Sequence, residues 1–130
     1  MPENIRLEVP STRSGLATVR MVLGGLCARL DFGLESIDDV TLATNELLAA
    51  ALTAEHPISL SVEMAAQDAT LRVVTGPFDS ERLRSQVTVT PGGCIDLCML
   101  LQRLVDETVV QEEEGGFRVV LVKSRSGAAS

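Results

Sequence analysis

The chain carries two helix-period apolar stripes back to back, and only one strand-like segment precedes them. From Leu16 to Leu30 the residues Leu16, Val19, Leu23, Leu26, Cys27 and Leu30 fall on one face at 3.6 residues per turn. Val40, Ala43, Leu47, Ala51 and Ala54 form a second stripe. Two consecutive helices break the strand-helix-strand rhythm of a parallel sheet, so the strands have to pair largely as hairpins. The leading segment, Asn4 to Val9, alternates Ile5, Leu7 and Val9 with Arg6 and Glu8, the period of a half-buried strand, and Pro10 stops it. Ser11 is positioned to cap the first helix, and Ser36 with Asp39 to open the second.

Beyond the helices, Ile58 to Met64 and Thr70 to Val74 read as an antiparallel hairpin turning at Ala66 to Ala69. Thr75 to Thr90 mixes glycine, proline and charge, and reads as a loop with a short helix near Asp79 to Arg84. Pro91, Gly92 and Gly93 open a further helix to about Val105. Thr108 to Gln111 and Phe117 to Val122 are strands around a turn from Glu112 to Gly116. The order predicts one α/β two-layer sandwich over residues 1–124, with a mixed, mostly antiparallel sheet and helices on one face. The small, polar tail at 125–130 is expected to be disordered.

Composition then narrows the function. At 130 residues the chain suits a single core, and no run of roughly 18 apolar residues is present to span a bilayer. No basic segment followed by an apolar one marks the N-terminus for export, so a cytoplasmic location is expected. A net charge of −7 argues against nucleic acid, whose phosphates demand a basic face. The only aromatic residues are Phe32, Phe78 and Phe117, too few for a base-stacking platform. Cys27, Cys94 and Cys98 suit reduced core thiols, and with His56 as the single histidine no metal site is expected.

Several strings resemble the anti-sigma-factor serine kinases of the GHKL superfamily, which share the Bergerat ATP-binding fold. DDVTLATNELLAAAL resembles their N-box helix, with Glu46 at the glutamate and Ala50 at the asparagine. The resemblance implies a general-base role for Glu46, vestigial if phosphate is no longer transferred, and a lost Mg²⁺ ligand at Ala50. LRVVTGPFDS resembles the first glycine box, with Thr75 where an aspartate reads adenine and Pro77 and Asp79 at the two glycines. GGCIDLCMLLQRLVDETVV resembles the second glycine box, with Ile95 and Leu97 at its glycines. Glu114, Gly115 and Gly116 resemble the turn before the family's last strand.

Phosphate binds a helix N-terminus through free N–H groups, and glycines let it approach closely. Ile95 and Leu97 fill that space, and Asp96 repels a triphosphate. The resemblance therefore implies a degenerate family member that binds a sigma factor or an anti-anti-sigma antagonist, with ATP binding and kinase activity reduced or lost and no cofactor expected. The alternative is an active ATP-dependent serine/threonine kinase that uses Mg-ATP on an anti-anti-sigma protein. A third reading is a subunit that has kept only the fold.

Arg13 and Arg20, seven residues apart, share one flank of the first helix and are the candidate partner-binding residues. Snorkelling beside the apolar stripe is the plain alternative for both, as a solvated helix position is for Glu46. The resemblance also suggests a homodimer through the N-terminal strand and first helix.

Overall fold

The computed structural model describes residues 3–51, 59–67, 70–88 and 97–124, with only the backbone path given for Glu3 and for 59–67. In chain order the elements are β1 (Glu3–Pro10), α1 (Arg13–Arg29), α2 (Leu34–Ala51), β2 (Ser59–Gln67), β3 (Thr70–Phe78), α3 (Glu81–Val87), α4 (Leu97–Leu104), β4 (Glu107–Glu113) and β5 (Gly116–Ser124). The five strands form one sheet in the order β1-β2-β3-β5-β4. Each of the four pairings is antiparallel. The expected reading Ala54, His56, Pro91 to Gly93, Cys94, Ile95, Asp96 and the tail falls outside the described residues.

The helices cover one face of the sheet. Leu71 and Val73 of β3 and Phe117, Val119 and Leu121 of β5 join Leu23, Leu26, Cys27, Val40, Leu47, Leu48 and Leu101 in one buried cluster. Alternation along the strands turns Val74 and Val120 to the other face, where they stand opposite each other in register and are also buried.

Several boundaries differ from the sequence reading, and at three of them residues change role. Thr12, not Ser11, caps α1: its backbone is extended and its side chain accepts from the N–H of Gly15 at 3.2 Å. α2 begins at Leu34, and its first turn closes through Ile37 N–H to the Gly33 carbonyl, so Ser36 lies inside the helix and is 2% exposed. β3 runs on through Thr75, Gly76 and Pro77 to Phe78, where the sequence reads as a loop.

A register shift against β5 between Thr75 and Phe78 accommodates the extra length. It also reverses the alternation, so that Thr75 and Phe78, three residues apart, can both be buried.

The joint between β1 and α1 has no slack. The N–H of Thr12 donates to the Pro10 carbonyl at 2.8 Å. A Cβ on Gly15 would stand 2.1 Å from the same carbonyl oxygen, so only glycine lets α1 start this close to the strand. At its other end α1 closes in a Schellman motif. Asp31 N–H donates to Ala28 O and Phe32 N–H to Cys27 O, both at 3.1 Å, with Asp31 at φ +64° and Phe32 buried behind it.

Within the core, burial pushes the Cys27 thiol up from 9.0 to about 11. Between those values the unfolded chain sheds a proton that the native chain keeps, so native stability falls as pH rises from 9.0 to about 11, by up to roughly 3 kcal/mol. Urea denaturation at pH 8 and pH 10.5 should show this loss in the parent and a smaller one in Cys27→Ala. Equal losses in the two proteins would contradict it.

Candidate functional site

The residues that resemble the family's nucleotide motifs lie on α2, on the end of β3 and at the start of α4. α2 packs against α1, α4 and β5, so the α2 and α4 segments meet in the helix layer, and the end of β3 lies in the sheet beside β5. Glu46 is half-buried on α2, and Ala50, one turn on, is half-buried against the core.

Thr75, at the adenine-reading position, is fully buried, and its hydroxyl donates to the Val119 carbonyl at 2.9 Å. The only polar group of that side chain is thus engaged within the sheet, and threonine has no carboxylate to offer a base. Gly76 follows at φ +118°, with the Phe117 carbonyl oxygen 3.2 Å from where a Cβ would be. The positive φ is what calls for glycine here, and the neighbouring strand leaves a side chain little room besides. Leu97, at a second-box glycine, is half-buried and packs against the hydrophobic core.

α3, which follows this region, is fastened down through Arg84. Its guanidinium lies 4.5 Å from the ring centroid of Phe117, donates to Glu112, and pairs with Glu81 at 3.2 Å. Phe117 in turn stacks at 48° on Phe78, with centroids 5.7 Å apart. A cavity of about 210 Å³ lies between α3, α4 and the start of β4, and neither Glu46 nor Thr75 is on its wall.

Arg13 and Arg20 are both exposed on α1, two turns apart. Arg20 borders a crevice between α1 and α2 together with Thr41 and Asn45, and the crevice has no room for a water molecule. The Thr41 hydroxyl oxygen there is shut off from solvent and has no hydrogen-bond partner. Sequence reading passed over Thr41 and Asn45. Each is an ordinary polar residue at a helix position, and only the approach of α1 sets them beside Arg20. Glu46, although next to Asn45 in sequence, does not line this crevice.

No family model matches the sequence, and no curated protein does. Among solved structures, the fold is similar to the crystal structure of the RsbU and RsbW domains of Rv1364c from Mycobacterium tuberculosis, with a TM-score of 0.68 at 17% identity. The match covers 94% of this chain and 32% of that one, so the chain spans about a third of its neighbour's length. The likeness is one of fold: the chain, like that structure over the matched region, is a two-layer α/β sandwich. No helix among the described residues is long and apolar enough to cross a membrane.

Proposed function

We propose that the chain is a regulator of the anti-sigma type, which binds a sigma factor or an anti-anti-sigma antagonist in the cytoplasm as a homodimer, with ATP binding and kinase activity reduced or lost. The observation that carries the reading is Thr75. Its buried hydroxyl is bonded to Val119 at the position where the family's aspartate would meet adenine. Leu97, packed on the core where phosphate would need a glycine, supports it, as does Ala50, which has no side-chain oxygen for Mg²⁺. The fold supplies the frame for such a regulator, and α1 supplies a basic face for a protein partner.

Thermal denaturation with and without millimolar Mg-ATP tests this. A ligand held at a hundred times its dissociation constant adds about 2.7 kcal/mol, which for a domain of this size raises Tm by several degrees. The expected result is no shift. Glu46→Gln should likewise leave partner affinity unchanged, because a general base matters only where phosphate moves. A shift of about 5 °C abolished by EDTA, with labelled phosphate reaching the partner's serine and lost in Glu46→Gln, would establish the active kinase instead.

A further inference from the structure

The cavity of about 210 Å³ between α3, α4 and the start of β4 has walls of two kinds. Val87 at the end of α3, Cys98 of α4 and Val105 just past it are buried and form an apolar floor. Gln102 and Asp106 reach solvent and form a polar rim. Cys98, Gln102 and Val105 follow each other at helical spacing, so one face of α4 is turned to the cavity. Leu97, Leu101 and Leu104 lie on another face and pack into the core. The cavity is thus separate from the second-glycine-box position at Leu97.

Charge at the rim has one sign. Asp106 lines the cavity with Glu107 next to it in sequence, and no basic residue is among the described wall residues. Asp106 is fixed in place: its N–H donates to the Val122 carbonyl at 2.9 Å, and its Oδ2 accepts from the Ser124 N–H at 2.7 Å. A carboxylate has lone pairs to spare, so Oδ1 can accept a further donor. Thr108 stands opposite the buried Leu121 in register and so faces the helix layer. Its hydroxyl oxygen is shut off from solvent and has no hydrogen-bond partner. Such an orphan costs free energy, and one staggered step about χ1 re-aims it toward a guest in the cavity that Thr108 borders.

We propose that this cavity binds a small organic cation, a primary ammonium on a short aliphatic stem. The ammonium has three N–H donors, and Asp106 Oδ1, the Gln102 side-chain carbonyl and the Thr108 hydroxyl are three acceptors for them. Glu107 adds negative potential beside them. The stem lies over Val87, Cys98 and Val105, whose apolar surface it shields from water. Volume limits the guest to a few heavy atoms, since sites for drug-sized ligands span roughly 300–1,000 Å³. A bare metal ion makes no use of the apolar floor, and among the described residues no group of three His, Cys, Asp or Glu is placed to hold one. An anion meets repulsion from both carboxylates. This site goes beyond the regulator reading and does not depend on it.

The test is a titration of the isotope-labelled chain with butylammonium chloride, followed by amide NMR, with sodium butyrate and butanol as controls at matched ionic strength. Butylammonium should shift the amides of Val87, Cys98, Gln102, Asp106 and Thr108 with a Kd of about a millimolar, as suits so small a guest. Butanol should bind at least about tenfold more weakly, and butyrate should leave those amides in place. Asp106→Asn keeps an acceptor for the Ser124 N–H and should weaken binding at least about tenfold. Thr108→Val should weaken it severalfold without lowering Tm, because valine suits a strand and removes the orphaned oxygen. Should Asp106→Asn fail to fold, Gln102→Leu on the exposed rim of α4 removes a different acceptor and should weaken binding severalfold. Unmoved amides at the cavity, shifts confined to other regions, an affinity that Asp106→Asn and Gln102→Leu leave unchanged, or butanol bound as well as butylammonium would each overturn the proposal. The same amides moved more strongly by magnesium or calcium chloride would replace it with a metal site.

Discussion

Phe117→Ala is expected to lower stability by about 4 kcal/mol, the largest effect of any single truncation in this fold. The ring is fully buried at the start of β5, in contact with Phe78 on β3 and capped by Arg84 from α3. Alanine removes the buried area and leaves a cavity between two strands and a helix, which close-packed neighbours fill only in part. It also strips Arg84 of the surface it rests on, although that exposed contact adds less than the core does. For a domain whose total stability is about 5–15 kcal/mol, the melting temperature should drop by on the order of 10–20 °C. Thermal and urea denaturation measure this directly, and a drop below about 3 °C would show that the ring is not the keystone described.

Lys123→Ala should cost about 2 kcal/mol, for a reason unrelated to hydrophobic volume. The Lys123 ammonium is buried beneath the helix layer, where it donates to the Leu104 carbonyl at 2.9 Å and pairs with Asp39 at 3.3 Å. One cation thereby joins the end of β5, the C-terminal carbonyl of α4 and the first half of α2. Its removal strands the carbonyl and the carboxylate together. The Asp39 side chain keeps 29% of its exposure and can turn to water, so the full cost of breaking a buried pair does not apply. Asp39→Asn should therefore cost less than half as much, since Lys123 retains the helix carbonyl. A double-mutant cycle in urea checks the ordering, and equal losses for the two single variants would refute it.

Much of the fold was legible because its signals are repeated. The α1 stripe from Leu16 to Cys27 and the alternation in β1 each commit several residues to one face, and every one of those faces is where the period places it. The misses came from single residues with two meanings. Ser36 looks like a cap, but the Schellman turn at Asp31 lets Gly33 start α2 earlier and carries the serine inside. Gly76 and Pro77 look like a loop, yet a bulge accommodates both within a strand. At the candidate site, the replaced motif residues Ala50, Thr75 and Leu97 were readable from position. Where Thr75 sends its hydroxyl was not, because that depends on a strand more than forty residues away. The crevice of Arg20, Thr41 and Asn45 was equally hidden, since two helices contribute to it.

The tight seam at Gly15 has a mechanical meaning. With the Pro10 carbonyl seated against the first turn of α1, strand and helix are joined like the two arms of a bell crank, and a rotation of one has to turn the other. β1 is an edge of the sheet, so a ligand that tilted α1 would tilt the strand rim with it. A load on the rim returns to the helix by the same route. By reciprocity, any change in affinity that one ligand imposes at the far arm is matched by an equal change in its own. Ligands on opposite sides of that short turn would then report on each other without a wire through the core.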